Sequence, residues 1–322
     1  MRKLMFPLLC VMMVLTAGQA LAATTPAQRA VAQRAAAIAP FVDDQTVAVA
    51  YLDLSAVDMD ALASEMQRAG LPIPQAALAA SMLKAQLGQL TAAGAHDVYV
   101  VVSTAYLLYP PYLVVIPLGQ GANADALAGG LKPVLPESAV IKGALCAGPV
   151  GVLAKFRALA PAARPELEAA FAAAGDAPLV AIFMPTADNR RAIDETLPVL
   201  PDNLGGGPSS IITRGVMWAS VSLRFEDGPS VGIVVQSKDA DAAQALAAWV
   251  PKLKSAVLAP INANKQVPPE FVAGTLDLLN PKVEGDRVVS NLSSDQVRSW
   301  LRGLVSAVKA KESAAHPPAA KP

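Results

Sequence analysis

Five carboxylates crowd into the early part of the chain: Asp43, Asp44, Asp53, Asp58 and Asp60. Oxygen ligands at that density are what a calcium or magnesium site uses. The EF-hand spacing, with its central glycine and terminal glutamate, is missing. Helix capping accounts for Asp58, and a solvated lead-in accounts for Asp43-Asp44. His96 and His316 are the two histidines. His96 stands beside Asp97 in GAHDVYV, but adjacency in sequence does not set a base against its orienter. His96 reads as a surface residue at a strand start. The chain has no G-x-S-x-G nucleophile elbow. Gly205-Gly206-Gly207 lacks the Lys-Ser/Thr that completes a phosphate loop, so it reads as a flexible turn. Arg190-Arg191 falls in the first turn of an expected helix, where positive charge is mildly unfavourable, and reads as a solvated pair. Cys146, in the apolar context GALCAGPVG, reads as a buried, inert thiol. We therefore expect no catalytic, cofactor-binding or metal-ligating residue, and no cofactor.

The bulk composition narrows the function classes. Hydrophobic residues make up 53% of the chain and charged residues 16%, which excludes a disordered polymer. Lys and Arg number 26, as do Asp and Glu, so the basic excess of a nucleic-acid binder is absent. At 322 residues the chain has room for two domains or one large one.

Residues 1–22 read as a secretory signal. Arg2 and Lys3 supply the positive start, Leu4 to Leu15 an apolar core, and Ala20-Leu21-Ala22 the small-residue cleavage site. That core is shorter than the ~20 residues of a membrane span. Cys10 lies inside it rather than after it, which argues against a lipoprotein cysteine. Cleavage after Ala22 leaves Cys146 as the remaining thiol, so no internal disulfide is expected. The protein is expected in the periplasm or envelope of a bacterium.

The rest must position whatever site exists. Residues 23–45 read as a helical lead-in, with a helix from Pro26 to Ile38. Residues 46–175 and 176–310 read as two copies of one α+β unit. Each copy has mainly antiparallel strands with helices on one face, a tandem βαββαββ(α)-like repeat. Residues 311–322 read as a disordered tail. In the first copy, strands are expected over Thr46–Leu54, Asp97–Val102, Tyr112–Ile116, Ala139–Leu145 and Val150–Phe156. Helices are expected after Asp58, over Gln75–Ala93, from Asn123 or Asp125 to Leu131, and over Pro165–Ala174. In the second copy, strands are expected over Pro178–Met184, Val216–Phe225, Ser230–Gln236, Ala273–Leu279 and Arg287–Leu292. Its helices are expected over Asp188–Leu197, with Asp188 as cap, Asp239–Leu258 and Ser293–Lys309. Two internal matches carry the repeat: Val114–Leu131 against Ile233–Val250, and Val152–Phe156 against Val288–Leu292. Trp218, Trp249 and Trp300 read as core anchors. The uncharged run from Val98 to Gly119 is long enough to span a bilayer. Pro110-Pro111 in its middle and its β-branched residues make it a buried hairpin instead.

Two segments, TVAVAYLDLSAVDMDALASEM (residues 46–66) and VEGDRVVSNL (residues 283–292), resemble a group of exported bacterial α+β proteins of unknown function. In that group a strand ending in Asp-Leu-Ser precedes a helix, and a late Gly-Asp-x-Val strand precedes the terminal helix. The resemblance covers both ends of the mature chain and carries no catalytic residue with it. The reading that follows is a non-enzymatic envelope protein that binds or organises something, not an integral membrane protein once the signal is removed. A periplasmic carrier of apolar ligand such as lipid is the second reading. A metal-dependent hydrolase at the Asp-rich strand–helix junction is a lesser third.

Overall fold

The computed structural model describes residues 26–68, 73–106, 112–225, 228–263 and 280–315. The first 25 residues, and so the expected signal, lie outside the described residues, as do the Pro110-Pro111 turn and the strand expected over 273–279. The elements of the first half are α1 (Pro26–Ile38), β1 (Thr46–Asp53), α2 (Met59–Arg68), α3 (Ile73–Ala92), β2 (Asp97–Ser103), β3 (Tyr112–Pro117), α4 (Ala124–Leu131), β4 (Glu137–Ile141), β5 (Ala144–Gly148), α5 (Val152–Arg157) and α6 (Pro165–Ala174). The second half adds β6 (Leu179–Phe183), α7 (Ala187–Thr196), β7 (Val199–Leu200), β8 (Gly207–Pro208), α8 (Ser210–Thr213), β9 (Trp218–Arg224), β10 (Ser230–Gln236), α9 (Ala240–Ala263), β11 (Lys282–Glu284), β12 (Arg287–Leu292) and α10 (Ser294–Ala315).

The fold is α+β. Ten strands form one antiparallel sheet in the order β11-β12-β10-β9-β6-β1-β2-β3-β5-β4. The join between the halves is the β1–β6 pair, where Ala50 faces Ala181. Reading outward from it, the left half runs β1, β2, β3, β5, β4 and the right half β6, β9, β10, β12, β11. Each half thus ends in a hairpin whose second strand lies inside its first. The two halves therefore carry their strands in the same order outward from the join. The match of Val114 with Ile233 falls on it: each occupies the third strand out, two pairings from the Ala50–Ala181 centre.

The helices obey local rules. Asp58 Oδ1 accepts from the N–H groups of Asp60 and Ala61, both at 2.9 Å, and so opens α2. Asn123 caps α4 through the Ala126 N–H. Alternation along the central strands sends Val49, Tyr51, Tyr99, Val101, Leu113, Val115, Val180 and Ile182 to one face. There they form the main core with α1, α5 and α6.

Four expectations need correction. Val152–Arg157 is a helix, not a strand, and the pairing of Val152–Phe156 with Val288–Leu292 falls with it. Val152, Leu153 and Phe156 are all buried, at the i, i+1, i+4 spacing of one helix face, which a short apolar run does not distinguish from a strand. The stretch Ala139–Leu145 is a hairpin: Lys142 (φ 49°) and Gly143 (φ 79°) turn the chain between β4 and β5. The cap of α7 is Thr186, two residues before Asp188. Thr186 and Asn189 cap each other's backbone N–H. Finally, α10 continues past Lys311 to Ala315, into the expected tail.

Two tyrosines give the main core a pH signature. Tyr51 and Tyr99 pack at 5.2 Å between ring centroids, and the Tyr51 hydroxyl donates to Asp97 Oδ1 at 2.8 Å. Burial raises both hydroxyl pKa values well above the ordinary range. The hydrogen bond to Asp97 adds to the rise at Tyr51, and the Asp97 charge adds to it at Tyr99. A folded pKa above the unfolded one means the contribution is complete below pH ~10 and is lost as pH rises beyond it. Unfolding free energy is therefore expected to fall steeply between pH 10 and 11. The Tyr51→Phe chain should show a shallower alkaline slope in denaturant titrations, and equal slopes would refute this account.

Candidate functional site

The carboxylates of the expected acidic cluster do not converge. Asp43 Oδ1 accepts from the Gln45 N–H and from Thr46 Oγ1. Asp53 Oδ1 accepts from the N–H and hydroxyl of Ser55 and from the Ala56 N–H. Asp58 caps α2, and Asp60 pairs with Lys84 at 2.8 Å. Asp43, Asp53 and Asp58 are committed to their own turns or helix start, and Asp60 to Lys84 of α3. Among the described residues, no group of three His, Cys, Asp or Glu side chains is placed to share a metal ion.

The other candidates are also dispersed. His96 is exposed, and the Asp97 carboxylate beside it turns inward to Tyr51. Arg190 donates to the Pro185 carbonyl and Arg191 to Asp188 Oδ1. The Gly205–Gly207 loop packs closely against a helix: a Cβ on Gly205 would lie 2.7 Å from the Leu253 backbone nitrogen in α9. All three glycines have positive φ. The loop is therefore set by close backbone approach rather than by flexibility. Cys146 is fully buried, and burial pushes its thiol up to about 12, so it stays protonated and a poor nucleophile at neutral pH. Trp218 and Trp249 are buried.

One buried ion pair was not legible in the sequence. Glu65 in α2, 6% exposed, accepts from Arg298 Nε at 2.7 Å and Arg298 Nη2 at 2.9 Å, and also pairs with Arg68. The hydrogen bond from Arg298 holds its carboxyl below the usual range. The pair ties α2 to α10, across 233 positions.

The feature most suited to binding is a surface. Paired residues in an antiparallel ladder share a face, so the registers define three rows across five central strands. The middle row is Val100, Ala50, Ala181, Val221, Ile233. One flanking row is Val98, Leu52, Leu179, Leu223, Val231, and the other is Val102, Ala48, Phe183, Ala219, Val235. All fifteen side chains are apolar, and none is fully buried. Phe183 is 48% exposed and Val221 39%. The residues that alternate with them on β1, β2 and β6 are packed beneath α1 and α6. At the centre of the sheet the described helices α1 and α6 lie on that packed face, and on the opposite face Ala181, Phe183 and Val221 are exposed.

Toward the two edges, other helices stand on this opposite face. Leu87 and Leu90 of α3 and Leu127 and Leu131 of α4 pack with Val114, Ile116 and Leu145 on the β3–β5 side, and the floor residues Leu52 and Val98 pack against the same cluster. Ala243, Leu246 and Trp249 of α9 pack with Val235 and Val288 on the β10–β12 side. The apolar strip is thus a floor with a helical wall at each side. Apolar patches of a few hundred Å² are often functional. No helix among the described residues is long and apolar enough to cross a membrane. Comparison with known proteins finds no family model, curated protein or solved structure that matches this chain.

Proposed function

We propose that this is an exported, non-enzymatic protein of a bacterial envelope, and that it binds an apolar guest on the open face of its central sheet. The observation that supports binding is the fifteen-residue floor without a single polar side chain, walled by α3 and α4 on one side and α9 on the other. Export rests on Arg2, Lys3, the apolar core and Ala20-Leu21-Ala22. Among the described residues, the candidate carboxylates, histidine and thiol form no convergent set for chemistry.

The test of the surface uses an apolar fluorescent dye such as anilinonaphthalene sulfonate. The folded wild-type chain is expected to bind it in native buffer. Val221→Asp, at an exposed floor position, is expected to cut dye affinity by at least about tenfold, because the dye must then share the floor with a charge. Its melting temperature should stay close to wild type, since surface substitutions seldom cost more than ~0.5 kcal/mol. Equal dye binding by wild type and Val221→Asp would remove this surface as the site.

A further inference from the structure

We infer that the guest on this face is the acyl-chain portion of a phospholipid; the inference rests on the binding surface proposed above. The shape of the site excludes a second copy of the chain. From a strand spacing of ~4.8 Å and a rise of ~3.3 Å per residue, the floor covers roughly 400 Å². A stable protein–protein contact needs about 800 Å² from each partner. The walls also prevent a second flat sheet from descending onto the floor, because α3, α4 and α9 rise from the same face on both sides. Only a slim guest reaches Ala50 and Ala181.

The chemistry of the floor narrows the guest further. The central strands β2, β1, β6, β9 and β10 each have a paired neighbour on both sides, so their backbone N–H and C=O groups are spent in the ladders. No floor side chain donates or accepts a hydrogen bond. An extended peptide laid here would leave its own backbone groups without partners, at a cost that apolar contact does not recover. A hydrocarbon chain has no such groups. Ala48, Ala50, Ala181 and Ala219 form the low centre of the floor, and Val100, Val221, Leu52 and Phe183 stand around them. A flexible acyl chain conforms to such a shallow trough. An exported envelope protein meets phospholipid on either membrane surface.

The experiment uses the full mature chain and vesicles of phosphatidylethanolamine and phosphatidylglycerol carrying a trace of pyrene-labelled phosphatidylglycerol. After the vesicles are sedimented, pyrene fluorescence in the supernatant reports lipid held by the protein. Wild type is expected to retain label, and Ala181→Asp and Val221→Asp to retain at least about tenfold less. Val150→Asp, an exposed residue off the sheet, should match wild type. All four chains should melt cooperatively at similar temperatures, which keeps misfolding from imitating loss of binding. Label retained equally by floor variants and wild type would overturn the inference. So would a wild-type chain that takes up no lipid, or that sediments as a dimer broken by Val221→Asp. If wild type binds the dye in a Val221-dependent way yet takes no lipid, the acyl-chain assignment falls and the binding surface stands. If the dye is also indifferent to Val221→Asp, both fall.

Discussion

Phe171→Ala is expected to cost about 3–5 kcal/mol of stability, the range for deleting a fully buried aromatic ring. Phe171 sits on α6 with no exposed surface. Its ring meets Tyr51 edge-on, at 6.0 Å and 89°, and Tyr51 in turn packs on Tyr99. These three rings lock α6 onto the β1–β2 pair at the centre of the sheet, so the cavity left by truncation has little freedom to collapse. Phe183→Ala is the informative comparison. It removes the same side chain from the opposite face, where the ring is 48% exposed, and should cost below about 1 kcal/mol. Guanidinium denaturation of both variants measures the difference. Similar losses from both would mean that the open face is covered in solution.

Arg164→Met is expected to cost about 2–4 kcal/mol, although it keeps most of the side-chain volume. The Arg164 side chain is only 9% exposed. Its guanidinium donates to the carbonyl oxygens of Asp43 (3.2 Å), Thr46 (2.8 Å) and Met184 (3.1 Å). One side chain therefore ties the entrance of β1 to the exit of β6, the two strands that join the halves. It also faces Glu166 at 3.6 Å, and Glu166 Oε2 is buried with no hydrogen-bond partner. Methionine withdraws the guanidinium from three carbonyls, of which Asp43's keeps the Thr46 N–H as a donor, and leaves a partly buried carboxylate without its cation. Lysine keeps the charge but cannot present the planar fork, so Arg164→Lys should recover only part of the loss. Thermal melts of the two variants, with hydrogen exchange at Val47 and Met184, test both parts. A methionine variant as stable as wild type would show that water serves these carbonyls equally well.

Much of the local structure was legible because it depends on residues close in sequence. Alternation places Tyr51, Tyr99 and Ile182 inside whatever the rest of the chain does. The starts of α2 and α4 follow from Asp58 and Asn123, because a cap acts on N–H groups two or three residues away. Val114–Leu131 and Ile233–Val250 were each readable as a strand leading into a helix. The failures share a cause too. The Lys142-Gly143 turn escaped because lysine rarely adopts positive φ, so the hairpin carried half of its usual signal. Val152–Arg157 escaped because six residues hold too little periodicity to separate a helix from a strand.

The sequence by itself determined that LVAIF in β6, VAVAYL in β1 and ASVSL in β9 would be strands, and that one face of each would enter a core. It also determined how little material there was for catalysis. Apolar residues stand on both faces of β1 and β6, so the expectation of helices on one face did not say which face they would cover. Only the tertiary structure decided that: α1 and α6 cover one face of the central strands, while α3, α4 and α9 pack toward the two sides of the other. Which face is roofed depends on where helices land across the sheet, a matter of crossover length and packing between segments more than a hundred residues apart. Glu65 and Arg298 meet for the same reason. A strand's alternation states that it has two faces; the rest of the fold chooses which of them meets water.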